Sequence, residues 1–262
     1  MSASRKASKT IDNAAVAKSA GLAFIGQSGA AVEALSLLVF TWLYATAVVG
    51  LFFTLYAALK ILGAVTEGAM TTAQQRYTPA AKNPAEEARI VKAALLVSVT
   101  GSLGIGALVF AFAPAIARFL EGGPLSEAEL VTMVRLYVFA LPFFTLVEVL
   151  TASVRAQQAF GPEIRVRVFY EQALRLGLGA GLFFVGVEVY GLALAHALST
   201  FGAFVLSLSL VRRYYDAGEV LRARLNPAFL KDFLSFSALM MPANVIKKFF
   251  LVGPVIIVNK AL

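Results

Sequence analysis

Long apolar runs recur along the chain, each about the length of a membrane crossing and each separated from the next by a polar stretch. A spanning helix needs about 20 mostly apolar residues, because the hydrocarbon core is about 30 Å thick and the helix rises 1.5 Å per residue. The pattern predicts about seven such helices, over 20–43, 47–68, 90–115, 130–153, 166–187, 189–211 and 232–260. The predicted fold is all-α, a polytopic membrane protein. The turn between the first two runs is only Leu43 to about Thr46. The run from Gly21 is too long for the core of a signal peptide and passes almost directly into a second run, so no cleavable signal is expected. The stretch from Ile11 to Ala20 reads as a short interfacial helix or as a frayed tail.

Composition narrows the class. The chain has 262 residues, 59% of them apolar and only 15% charged, with a mean hydropathy of +0.79. Soluble domains have about 25% charged residues, so disorder, a coiled coil and a soluble enzyme of this length are all disfavoured. Cysteine is absent, which removes disulfides, thiolate metal sites and thiol nucleophiles. His196 is the one histidine, too few for a multi-histidine metal site.

The net charge of +8 is distributed with a direction. Basic residues gather in the N-terminal tail (Arg5, Lys6, Lys9, Lys18) and in alternate loops: Arg76, Lys82, Arg89 and Lys92; Arg155, Arg165 and Arg167; Arg212, Arg213, Arg222, Arg224 and Lys231. The opposite loops carry Arg118 and Lys260 beside Glu121, Glu127, Glu129 and Glu188. By the positive-inside rule the N-terminus is expected on the cytoplasmic side and the last residues on the outer side. The basic excess is topogenic charge beside anionic lipid heads. No basic run is interleaved with stacking aromatics, so nucleic acid is not an expected partner. Trp42, Tyr44 and Tyr190 fit outer interface anchors, and Tyr170, Tyr214 and Tyr215 inner ones.

Seven ionisable residues fall well inside the runs: Glu33, Lys60, Glu148, Glu171, Arg175, Lys247 and Lys248. Arg135 lies near the outer end of its run, where it can snorkel. A charge at bilayer depth costs about 2.5–3.5 kcal/mol on insertion scales, so seven facing lipid would cost roughly 20 kcal/mol. They must face the bundle interior or a watery cavity, or pair with one another. Glu163, Arg167, Glu171 and Arg175 recur every four residues and so share one drifting helix face. That stripe reads as a substrate pathway or as a self-neutralised set, with Glu171 and Arg175 in the favourable order for an ion pair. Lys247 and Lys248 sit mid-run after Pro242, which frees a carbonyl near Ala238, and a kinked, lysine-bearing helix lining a cavity is expected. Lys60 and Glu33 lie at similar depth, as partners or separately facing the lumen. Pro142 and the Gly177, Gly179, Gly181 series point to bending and close helix contact. His196 reads as a hydrogen-bonded packing residue or as a proton relay.

No catalytic constellation accompanies these charges. There is no phosphate-binding GxxxxGK[ST] and no GxSxG, and Gly104-Ile105-Gly106 lies inside an apolar run. Transport rather than an enzyme is the expectation, with no cofactor and no metal. A membrane glycosyltransferase or ligase would want a large outer loop, and the longest here runs from about Ile116 to Glu129.

Three stretches carry a family resemblance: the xxVGLF turn at Val48 to Phe52, the ALP of Ala140 to Pro142, and VRAQQAFG at Val154 to Gly161. With the order of tight outer turn, basic loop, FAPAIARFL, LSLVRRYY and FLSFSALMMPANV, the chain resembles the polysaccharide-flippase (Wzx-like) branch of the multidrug/oligosaccharidyl-lipid/polysaccharide (MOP) exporter superfamily. The resemblance covers nearly the whole chain. It implies a cytoplasmic tail at 1–19, a six-helix bundle at 20–213, a cytoplasmic linker at 214–231, and at 232–262 the first helix of a second bundle. It further implies a multi-pass protein of the bacterial inner membrane that moves an undecaprenyl-diphosphate-linked oligosaccharide between leaflets by alternating access. Lys60, Arg175, Lys247 and Lys248 are the substrate-binding candidates for the anionic lipid-linked glycan. Glu33, Glu148, Glu171 and His196 are the pairing, gating or coupling candidates. Such proteins have about twelve to fourteen spans, so a second copy or a C-terminal half is an expected partner, along with membrane lipid. Competing readings are a cation-coupled multidrug exporter, disfavoured by Lys247 and Lys248, and a nonfunctional fragment.

Overall fold

The computed structural model describes residues 32–120 and 124–261, with side chains as far as Pro254. The N-terminal basic tail, the Ile11–Ala20 stretch and the start of the first run lie outside the described residues, as do Glu121 and the side chain of Lys260.

The described residues are helical almost throughout. In chain order they form α1 (Val32–Leu43), α2 (Thr46–Glu67), α3 (Met70–Tyr77), α4 (Pro84–Ala111), α5 (Ala113–Leu120), α6 (Glu127–Ala156), α7 (Gly161–Glu163), α8 (Glu171–Phe184), α9 (Gly191–Val211), α10 (Ala217–Arg222) and α11 (Pro227–Ala261). A π-helical stretch, Ile164–Tyr170, joins α7 to α8. Five of the helices, α2, α4, α6, α9 and α11, are long and apolar enough to cross a membrane. The chain is a multi-pass membrane protein.

Local chemistry sets the breaks. Asn83 caps α4 by accepting from the Glu86 N–H at 3.0 Å, with Pro84 at the first helical position. Ser126 and Glu129 form a reciprocal capping box on α6. Asp216 caps α10. The stretch between the second and third predicted runs, expected as loop, carries α3, because Gly68 and Ala69 both take left-handed backbone, at φ 59°. That turns the chain once and lets a new helix start. For Ala69, which has a Cβ, this conformation costs about 1–2 kcal/mol. The Glu67 carboxylate offsets part of it by accepting from the Thr71 N–H at 2.9 Å, capping α3.

Packing follows membrane rules, with small residues inside. The buried face of α4 carries Ala93, Ala94, Ser98, Ser102 and Gly106, whereas Leu96, Leu103, Leu108 and Phe110 face outward. With lipid as apolar as leucine, helices gain by close backbone approach rather than by hiding large side chains. At Gly101 an added Cβ would lie 2.8 Å from the Thr66 carbonyl oxygen, so α4 and α2 touch where only glycine fits. The central helix is α6, which packs on α2, α3, α4, α5 and α9, while α8 packs on α9 and α11 on α2 and α3. Thr66 and Thr145 join α2 to α6 by a buried hydroxyl contact at 2.9 Å.

The starts of α4 and α11 and the ends of α6 and α9 gather at one end of the bundle. There Tyr77 donates to Asp232 at 2.6 Å, Gln157 to Glu87 at 2.6 Å, and Lys92 to the carbonyls of Leu221 and Ala223 at 2.7 and 2.9 Å. The loops rich in arginine and lysine thus share one end. Burial and the Asp232 carboxylate hold the Tyr77 phenol above its ordinary range, and burial followed by Glu87 does the same for Tyr215.

Two interface anchors are corrected. Tyr44 is 5% exposed and donates to the Gly179 carbonyl at 2.6 Å, and Tyr215 is 8% exposed and donates to the Ser153 carbonyl at 2.9 Å. Both hydroxyls satisfy helix carbonyls in the core. Trp42 does face outward. Of the glycine series in α8, only Gly179 makes a close contact, against Phe40, and Gly177 and Gly181 border open space.

Candidate functional site

Charged side chains collect in two layers along the inner face of the bundle. The first layer lies nearer the end with the basic loops. Arg167, from the π-helical stretch, sets two guanidinium nitrogens 2.7 Å from the two oxygens of Glu148 on α6. Arg167 also lies 3.8 Å from Glu163, and Glu163 lies 2.5 Å from Arg155 at the end of α6. Gln75 of α3, with its amide oxygen turned toward the guanidinium, accepts from Arg155 at 2.7 and 3.1 Å. Lys248 of α11 approaches Glu148 at 4.0 Å. Signs alternate along Arg155, Glu163, Arg167, Glu148 and Lys248, so each charge has an opposite neighbour.

The second layer lies deeper, where α1, α2 and α8 meet. Lys60 of α2 is 3.2 Å from Glu33 of α1 and folds back over the ring of Tyr56, 4.1 Å from its centroid. Arg175 of α8 lies 4.8 Å from the same centroid and donates to Gln172. Arg175 is 2% exposed, yet among the described residues no carboxylate comes within ion-pair distance, and its Nη1 has no hydrogen-bond partner. Behind Tyr56, His196 packs with its ring centroid 5.2 Å away and stacks on Tyr137 at 5.3 Å. A crevice lined by Glu33, Ser36, Phe40, Phe52, Phe53, Tyr56 and Arg175 opens onto this layer.

The structure sorts the candidates. Lys60 and Glu33 are partners. Glu148 is paired with Arg167, and Lys248 turns toward it. Lys247, one residue on and about 100° round the helix, is exposed and has no ion-pair partner among the described residues. The two lysines therefore do not line one surface. Glu171 and Arg175 are both buried but do not pair. Both lie in the regular helix α8, after the π-helical stretch, whereas Glu163 and Arg167 keep their four-residue contact. His196 is a packing residue, but it is not hydrogen-bonded as expected. Both of its ring nitrogens are buried without a partner among the described residues, because it is walled by aromatic rings.

Sequence reasoning passed over Tyr56, Glu67 and Gln75. Tyr56 had a readable signal, an aromatic ring one helical turn before an intramembrane lysine. Glu67, 8% exposed, was readable only as the polar end of a run. Gln75 joins the first layer through a helix the hydropathy pattern does not show.

Comparison with known proteins now fixes the relationship. A family model described as "Polysaccharide biosynthesis protein" matches residues 81–262. The chain belongs to this polysaccharide biosynthesis family. A solved structure of a MOP superfamily transporter from Pyrococcus furiosus shares the fold, with a TM-score of 0.54 at 22% identity. The match covers 87% of this chain and 52% of that one, so the chain spans about half the length of the structure it matches. That transporter is described as having a binding pocket of reverse polarity that suggests a different function. No curated protein matches the chain. The expected polysaccharide-biosynthesis family is thus shown, and the expected fold is shared with a MOP superfamily transporter.

Proposed function

We propose that the protein is a transporter of the MOP type, and that it moves a lipid-linked oligosaccharide bearing a diphosphate from the inner to the outer leaflet of the cytoplasmic membrane. The observation that carries the reading is Arg175: a guanidinium at bilayer depth, held by a ring and an amide rather than neutralised by a carboxylate. A cation placed so, at a crevice it shares with Tyr56 and Glu33, suits a diphosphate group, which accepts bidentate hydrogen bonds from guanidinium. Membership of the polysaccharide biosynthesis family supports the glycan. The clustering of basic loops at one end supports a cytoplasmic N-terminus in a bacterial inner membrane.

Glu148, Arg167 and Lys248 form the hinge side of this device. Lys248 belongs to α11, and its 4.0 Å approach to Glu148 is the looser of that carboxylate's two contacts. Releasing Lys248 leaves Glu148 still paired with Arg167 and frees the lysine for another partner. The outward face of α11, with Lys247 among Leu239, Ile246, Phe250 and Leu251, is covered by a second helical bundle, from further chain or from a second copy. The intact mass of the protein from its native membrane separates these, at 27.9 kDa for a second copy and near twice that for one chain.

The test is transbilayer movement of a fluorescent polyprenyl-diphosphate oligosaccharide in vesicles holding the protein. Arg175→Ala is expected to insert normally and to lose at least tenfold in rate. Movement at the parental rate by that variant would sink the reading.

A further inference from the structure

We infer that Tyr56 is the positioning residue that holds Arg175 in place, without a carboxylate contact, for an anionic group. The inference rests on the anion-binding reading of Arg175 and adds a residue to it.

The argument starts from the cost of a buried cation. A guanidinium at bilayer depth needs compensation, and the first charged layer shows the ordinary solution, a carboxylate at 2.7 Å. That solution neutralises the cation and leaves little for a ligand. At Arg175 the compensation comes from the Tyr56 ring, 4.8 Å from the guanidinium carbon to the ring centroid. A ring attracts a cation through its quadrupole and carries no net charge. The guanidinium is therefore held with no carboxylate in direct contact among the described residues, while Glu171 and Glu33 act on it only from beyond ion-pair distance. Its Nη1, buried and without a partner among the described residues, is the group left to meet a ligand.

The ring is itself held fast. Tyr56 is 8% exposed. Phe52 stacks against it at 5.9 Å and 19°, and His196 meets it edge-on at 5.2 Å and 73°. The same ring takes Lys60 at 4.1 Å, four residues further along α2. Glu33 at 3.2 Å balances that lysine, so Arg175 is the cation of the two without a carboxylate. One ring thus fixes the positions of two cations on two helices, α2 and α8, and sets their separation.

The test replaces Tyr56 with Phe and with mono-, di- and trifluorinated Phe, which weaken the ring's attraction for cations stepwise at nearly constant shape. The probe is inorganic pyrophosphate, titrated calorimetrically onto the reconstituted protein. Tyr56→Phe, which also removes a hydroxyl facing Arg175 and Lys60, sets the baseline, and each fluorine is expected to weaken binding roughly twofold relative to it, as graded loss of a cation–π contact requires. Tyr56→Leu should lose tenfold or more. A residue that merely fills space would give a flat fluorine series, and a flat or rising series overturns the inference. The near-isosteric series stays readable even where Tyr56→Leu does not fold. Arg175→Ala separates the two levels. Loss of binding there with a flat series removes Tyr56 alone, whereas unaltered binding, or no binding by the parent, removes the anion site and Tyr56 with it.

Discussion

In the layer built from Arg155, Glu163, Arg167 and Glu148 every cation meets a carboxylate, whereas about 10 Å further along the same helical stretch Arg175 meets a ring and an amide. The residue types are alike, and Arg175 is the more deeply buried, at 2% exposed against 28% for the Arg167 side chain. The difference lies in what compensates the charge. A carboxylate cancels it and ties two helices together, which serves structure. An aromatic ring compensates it without cancelling it, which leaves a charge for a ligand. Buried charge in a membrane protein is thus not one signal but two, separable by the partner.

The largest effect expected from breaking this contrast is at Arg167. Arg167→Ala leaves Glu148 buried with only the distant Lys248, and loss of one member of such a pair costs about 3–5 kcal/mol. Thermal unfolding in detergent should show it. Restoring a cation as Arg167→Lys should recover only part, because the two-point contact is lost. A smaller loss, about 1–3 kcal/mol, is expected for Gly101→Ala, whose new Cβ would crowd the Thr66 carbonyl. The same assay measures it, and no loss would mean that α2 and α4 have room to part. Glu33→Gln takes the carboxylate from Lys60 but leaves it the Tyr56 ring, and the glutamine still accepts a hydrogen bond, so a loss of about 1 kcal/mol is expected. A cost near that of Arg167→Ala would erase the distinction between the layers.

The smallest expected effect is a pH dependence at the basic end. The Tyr77 phenol donates to Asp232, and its pKa is raised in the folded protein. A raised acid contributes stability below its unfolded pKa and loses it as pH rises through the folded value. Docking of α11 on α3 should therefore loosen on the alkaline side of the ordinary tyrosine range, read by hydrogen exchange of α11. Tyr77→Phe should flatten that alkaline change, and a Tyr77→Phe profile like the parent's would place its origin elsewhere.

Much of the architecture was legible because hydropathy over about 20 residues is a one-dimensional property. The runs at 47–68, 130–153 and 189–211 differ from α2, α6 and α9 by no more than a few residues at each end. The intramembrane charges were legible for the same reason, since a charge in an apolar run stands out whatever surrounds it. The helix α3 was not legible, because its residues are polar and its start depends on the left-handed pair Gly68 and Ala69 and on the Glu67 cap. Nor was the π-helical stretch inside the Glu163 to Arg175 stripe, since a four-residue rule assumes a regular helix.

The amino-acid order by itself determined that this is an all-helical membrane protein, roughly where most of its helices run, and which residues carry charge at depth. Insertion energy acts on each segment separately, so no partner need be known. Only the tertiary structure decided that Lys60 meets Glu33, that Arg167 and not Arg175 takes a carboxylate, that Lys247 and Lys248 part company, and that Tyr56 stands between two cations. Those outcomes depend on angles of a few tens of degrees about helix axes and on distances of about 3–5 Å between helices, which spacing along one chain does not encode.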